Sequence, residues 1–134
     1  MRKASMNTKI DPGWAHFAKY TFSPGIERDG WLYISGMTAS GEDGAIVCPG
    51  DIGGQTDYIL ARMGEILKAA GCGYEDVVNT RDYVTTTEGY RDTGTVRKKY
   101  FKEPYPTATG VIVAGLLRPG ALIEIDAVAK IPRK

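Results

Sequence analysis

Near the end of the chain, Leu122-Ile-Glu-Ile-Asp-Ala-Val-Ala-Lys-Ile131 has an apolar residue at every second position from Ile123. Ile123, Ile125, Ala127, Ala129 and Ile131 make one wholly apolar set, and Leu122, Glu124, Asp126, Val128 and Lys130 make the other. In a strand, residues two apart share a face. This segment therefore reads as a strand with one side against a hydrophobic layer. The stretch before it, Ala108–Leu117, is apolar on both sides: Val111, Val113 and Leu117 on one, Ile112, Ala114 and Leu116 on the other. Arg118-Pro-Gly120 is the turn between them. One helical layer covers one side of a sheet, and an antiparallel sheet facing water should alternate. The second face is therefore expected to be covered by another copy of the chain. A small β-sandwich within the chain is the alternative, with few other strands to supply it.

Working outward, Trp31-Leu-Tyr-Ile-Ser-Gly36 is a short aromatic and β-branched strand. Thr38–Gly50 is a Gly-, Ser- and Asp-rich loop, with room for a short strand at Ala45–Val47. The period then changes. Ile59, Met63, Ile66, Leu67 and Ala70 form the stripe of an amphipathic helix, with Asp51 as N-cap and Gly71 just past the end. Asp76–Thr86 reads as a third strand. Thr87-Glu88 opens a second helix carrying Tyr90, Val96, Tyr100 and Phe101, which Pro104 and Pro106 stop. The order β(β)αβαββ predicts an α+β fold, a mixed or antiparallel sheet with both helices on one face. Residues 1–18 lack periodicity and read as a loosely held arm ahead of a single domain, residues 19–134.

The whole-chain numbers agree with one soluble domain. There are 134 residues, 43% hydrophobic and 25% charged, near ordinary globular values. Seventeen Lys and Arg stand against 16 Asp and Glu, a net charge of +1 without a basic stripe. Nucleic-acid and membrane-surface partners normally leave a stronger footprint. No apolar run approaches a membrane span and no signal-peptide core is visible, so a cytoplasmic location is expected. Cys48 and Cys72 lack companions at metal-ligand spacing, so neither a disulfide framework nor a metal site is read. Glycine, at 17, exceeds the usual share.

Few residues offer chemistry. The Gly36–Gly54 segment has neither Gly-Lys-Ser/Thr nor Gly-x-Gly-x-x-Gly and reads as loop. His16, the lone histidine, reads as incidental. Glu124 and Asp126 share one strand face. Burial of that face would raise at least one pKa and fit a carboxyl for general acid/base work; pairing of both to Arg or Lys is the other reading. Arg81, with Asp82 beside it, and Arg118 at the final turn are candidate anion anchors, each also readable as a surface or ion-pair residue.

Taken in order, Gly30-Trp-Leu-Tyr-Ile-Ser-Gly36, Gln55 near the start of a helix ending Ala69-Ala-Gly71, Asp76-Val-Val-x-Thr-x-x-Tyr-Val84, Tyr100-Phe101, Pro106 and Leu122–Ala129 resemble the Rid (YjgF-type) family of enamine/imine deaminases. The similarity runs from about residue 20 to the end. It implies a fold similar to the small chorismate mutases, and a homotrimer with ligand sites in the clefts between subunits. It also implies that no cofactor is needed. The family's early serine matches Ser35, and the glutamate that handles the attacking water matches Glu124. The arginine that clamps the substrate carboxylate falls at Ala108, the pocket cysteine at Gly110, the helix asparagine at Gly94 and the N-terminal tyrosine at Phe22. These replacements describe a larger, less polar cleft.

The resemblance thus implies a small-molecule hydrolase acting on an imine, enamine or related C–N substrate bulkier than 2-iminopropionate. Glu124 would handle the water, while Thr109 and backbone N–H groups of residues 108–110 stabilise developing charge. Phe22 and Ser35 would shape the pocket, and Arg118 or Arg81 would substitute as anchor. A non-catalytic metabolite-binding trimer, a sensor or accessory subunit, is the alternative on the same scaffold. RNA-directed activity ranks below both on charge.

Overall fold

The computed structural model describes residues 6–132. Six strands and two helices follow one another: β1 (Thr8–Ile10), β2 (Gly25–Arg28), β3 (Trp31–Met37), α1 (Ile52–Ala69), β4 (Val77–Val84), α2 (Arg91–Tyr100), β5 (Thr107–Ile112) and β6 (Ile123–Lys130). They form one mixed sheet in the order β1-β2-β3-β6-β4-β5. The last strand slots between β3 and β4, antiparallel to both. Only β4 and β5 run parallel, because α2 is the crossover between them. The fold is α+β, as the pattern of the last strand predicts.

That strand decides the core. Ile123, Ile125, Ala127 and Ala129 are each 2% exposed or less, on the helix side of the sheet. Facing them is the predicted stripe of α1, with Ile59, Met63, Ile66 and Leu67 buried. Burying such side chains is worth on the order of 2 kcal/mol each, which dominates any helix propensity. Asp51 caps α1 by accepting the Gly54 N–H at 2.9 Å. Its far end closes in a Schellman arrangement: Cys72 N–H donates to the Leu67 carbonyl (2.8 Å) and Gly71 N–H to Lys68 (3.0 Å), with Gly71 at φ +78°.

Mid-helix Gly64, otherwise costly, has a packing reason. A Cβ there would overlap the Tyr74 hydroxyl, which donates to the Leu60 carbonyl at 2.6 Å.

Three expectations are corrected. The strand at 108–117 stops at Ile112 and does not form a hairpin with β6, because the α2 crossover places β5 beyond β4 at the sheet edge. Residues 113–122 instead carry the chain back across the end of β4. The strand at Ala45–Val47 shrinks to a single bridge between Ser40 and Ile46. The loosely held arm is ordered from residue 8: β1 pairs with β2, a 3-10 turn spans Ala15–Lys19, and Trp14 is 6% exposed in the core. Residues 1–5 of that arm lie outside the described residues.

Both faces of β5 are open, with Val111 43% and Ile112 64% exposed. There is one sheet, so a sandwich within the chain is ruled out among the described residues. Among them, too, no helix is long and apolar enough to cross a membrane.

Candidate active site

Glu124 stands on the sheet face away from the core, at the meeting of β3, β6 and β4. Its register partner on β4 is Tyr83. On β3 the pairing with β6 is broken by a bulge between Ile34 and Met37, and Gly36 lies within it. A Cβ on Gly36 would strike the Glu124 Oε2, so the missing side chain is the space that the carboxylate fills. Burial pushes the Glu124 carboxyl above the ordinary range, and the negative charge of Asp126 on the same face adds to this.

The two carboxylates that sequence alone leaves equivalent are used differently. Asp126 accepts from Arg81 Nε and from the Tyr83 hydroxyl, both at 2.9 Å. Among the described residues nothing donates to Glu124. Asp126 is the ion-paired residue, and Glu124 is the half-buried carboxylate packed against Gly36. The charge of Arg81 is thereby paired with a carboxylate.

Glu124 and Gly36 line two hollows. The larger, about 370 Å³, extends over Met37 and Thr38 to a turn of aromatic residues at 14–22 and to Leu117 and Arg118. The smaller, about 270 Å³, lies against Tyr83, Asp126 and the Val113–Leu116 loop. Small-molecule sites begin near 300 Å³, so the first is large enough for a compact ligand.

The aromatic turn is the part that sequence reading missed. Phe17, Tyr20 and Phe22 form a triangle with ring centroids 5.1–5.6 Å apart, Tyr20 and Phe22 stacked within 7°. His16, read as incidental, touches the cluster edge-on at Phe17 (5.2 Å) and lines the cavity. Trp14 anchors the turn: its indole N–H donates to Glu65 at 2.9 Å, and Arg62 lies over its ring at 4.4 Å. Five aromatic or imidazole rings within nine residues was the available signal. They fit neither a strand nor a helix period, so pattern reading passes over them.

Arg118 reaches the same cavity from the opposite end of the chain. Its Nη2 donates to the Tyr20 hydroxyl at 2.9 Å. Among the described residues it has no carboxylate partner. The loop that carries it is pinned by Gln55 of α1, wholly buried. The Gln55 amide donates to the Cys48 and Gly120 carbonyls (3.2 and 3.3 Å) and accepts the Leu122 N–H at 2.9 Å.

Other candidate residues are distributed more widely. Phe22 lines the cavity and is 55% exposed. Ser35 donates its hydroxyl to the Ser23 carbonyl (2.6 Å), tying β3 to the segment that follows the aromatic turn. Thr109 shares the outer face with Glu124 but sits level with Arg81 and Asp126, two strands away. Ala108 and Gly110 pair with Thr80 and Asp82 and so face the helix side. A Cβ at Gly110 would press on the hydrogen-bonded pair of Asp82 and Tyr90 (2.5 Å), whose phenol burial raises to about 12. Gly94 is exposed on α2 with open space before it. Within one chain, then, Glu124, Phe22 and Arg118 share a cavity, while Thr109, Ala108, Gly110 and Gly94 lie elsewhere. Among the described residues no group of three His, Cys, Asp or Glu could hold a metal ion.

Comparison with known proteins places this arrangement. A human 2-iminobutanoate/2-iminopropanoate deaminase is 33% identical over 108 residues, covering 81% of this chain and 78% of its own. A structure of a YjgF/YER057c/UK114 family member from Mycobacterium tuberculosis superposes with a TM-score of 0.78 at 31% identity, covering 93% of this chain and 99% of that one. A Rid-family protein of unknown function from Yersinia pestis superposes at 0.79 with 30% identity, over 97% and 100%. The family profile described as "Endoribonuclease L-PSP" matches residues 15–131, from the aromatic turn to the end of β6. The chain belongs to this family, the YjgF or Rid family.

Proposed function

We propose that the chain is an imine or enamine deaminase in which Glu124 handles the water. The observation that carries this reading is the Glu124 carboxylate itself, raised in pKa, without a hydrogen-bond donor among the described residues and open to a cavity. The name of the human relative supports the reaction class. In the step envisaged, Glu124 takes a proton from water as its oxygen bonds to the imine carbon. The C=N electron pair moves to nitrogen, which gains that proton. The hydroxyl proton of the tetrahedral adduct then passes by way of Glu124 to nitrogen as the C–N bond breaks, which expels ammonia and leaves the carbonyl product. A carboxyl with a raised pKa is suited to take and return a proton near neutral pH.

The aromatic lining supports a substrate bulkier than 2-iminopropionate. The open faces of β5 support self-association as a homotrimer, in which a neighbouring β5 would bring Thr109 and the backbone of 108–110 towards Glu124. Light scattering tests this: three chains of 14.6 kDa are expected, and a monomer would remove the composite site. A non-catalytic metabolite-binding trimer is the second reading, favoured by alanine at 108 where the resemblance places an arginine. Imines generated in situ with an amino-acid oxidase decide between the two. Ammonia release above the spontaneous rate, lost in Glu124→Ala, is expected. No acceleration over a range of imines would leave the binding role.

A further inference from the structure

We infer that the cavity beside Glu124 contains a subsite for an aromatic carboxylate, with the Arg118 guanidinium as anion anchor and the 17–22 rings as platform. For the reaction proposed above, the substrate class is then the 2-imino acids with an aryl side chain; that clause rests on the deaminase reading, whereas the binding subsite stands on the cavity alone.

Arginines near the sheet have different commitments. Arg81 is bonded to Asp126 at 2.9 Å, and Arg62 lies on the Trp14 ring with Glu65 3.5 Å away. Arg118 has neither an acidic partner nor a ring beneath it among the described residues; one of its five N–H donors goes to Tyr20. A half-buried guanidinium with donors to spare in a cavity is the group that binds a carboxylate through two parallel hydrogen bonds.

Tyr20 joins the anchor to the platform. Its hydroxyl accepts from Arg118, and its ring stacks on Phe22 at 5.1 Å with Phe17 edge-on. The distance between cation and rings is thus set by a single side chain. Phe22, 55% exposed, and Leu117, 97% exposed, leave apolar surface uncovered at the rim of the same cavity. An acid with only a methyl group would satisfy Arg118 and leave that surface wet; an aryl acid covers both.

Isothermal titration with 3-phenylpropanoate, propanoate and 3-phenylpropanamide tests the subsite without turnover. The aryl acid should bind at least about tenfold more tightly than either analogue. Arg118→Gln should weaken it roughly ten- to a hundredfold, the range for a charge-assisted pair. Arg118→Lys should fall between, since it keeps the charge but loses the fork. Phe22→Ala should weaken the aryl acid and spare propanoate, with circular dichroism confirming the fold of each variant. Equal binding of the three probes, or wild-type affinity in Arg118→Gln, overturns the subsite. If wild type hydrolyses aryl imino acids with a KM that Arg118→Gln leaves unchanged, the subsite falls and the deaminase reading stands. If the probe binds through Arg118 and no imine is hydrolysed, the reverse holds.

Discussion

The Glu124 carboxylate occupies the volume that a side chain on Gly36 would take. Gly36 has no positive φ, so its glycine answers to its neighbour and not to the backbone. Gly36→Ala should therefore displace Glu124 while leaving the strand intact. We expect a fall in kcat of roughly a hundredfold, within the range a misplaced general base costs. Melting temperature should hold or rise slightly, because alanine suits a strand better than glycine. Parallel loss of activity and Tm would refute the positioning role.

The pH profile should expose the second cause of the Glu124 shift. Activity needs the ionised carboxylate, so the rate should rise with pH through a midpoint above the ordinary carboxylate range. Asp126→Asn removes the like charge and should move that acid limb to lower pH; the larger contribution, burial, remains. An unmoved limb in Asp126→Asn would show that the limb belongs to another group.

Stability carries the same signature with a definite sign. The folded chain raises the Glu124 pKa, so folding favours the neutral acid. That contribution is fully present below the unfolded pKa and is lost as pH rises through the folded one. Glu124→Gln should consequently be more stable than wild type at neutral pH, and the gain should vanish on acidification. Thermal melts at two pH values suffice to check it.

Gln55 is the partner of the Gly120 carbonyl and the Leu122 N–H, and it shares the Cys48 carbonyl with the Asp51 N–H. Gln55→Leu would leave the part-buried Gly120 carbonyl and Leu122 N–H without this partner, at a cost on the order of 2 kcal/mol. A drop in Tm of roughly 10 °C is expected. Because Gly120 and Leu122 flank the Arg118 turn, ligand affinity should fall too. Denaturant unfolding with unchanged midpoint would contradict this account.

Gly64 should reverse its sign with its partner. Gly64→Ala gains about 1 kcal/mol of helix propensity but collides with the Tyr74 hydroxyl. The net effect should be a loss of about 1–2 kcal/mol in the native background. In Tyr74→Leu the same change should become stabilising. A double-mutant cycle measures the coupling directly.

How much of this was readable beforehand follows from the range of the interactions. The face of β6, the stripe of α1 and its Asp51 and Gly71 ends obey rules that act over one or two turns, and the structure keeps each of them. The carboxylate pair was visible as a pair, but not which member is bonded. That depended on Arg81 and Tyr83 of β4, some forty residues away in sequence.

The pairing of β5 and the site itself lay beyond such rules. A parallel partner is chosen by where a crossover helix packs, which no period in Thr107–Leu117 encodes. Tyr20 and Arg118 are 98 positions apart, and their hydrogen bond exists because β1–β3 and the Gln55-pinned loop bring both ends of the chain to one rim. Periodicity and capping are local and so were legible in the chain as written. The cavity is made of contacts between segments whose own sequences carry no period, and folding alone brought them together.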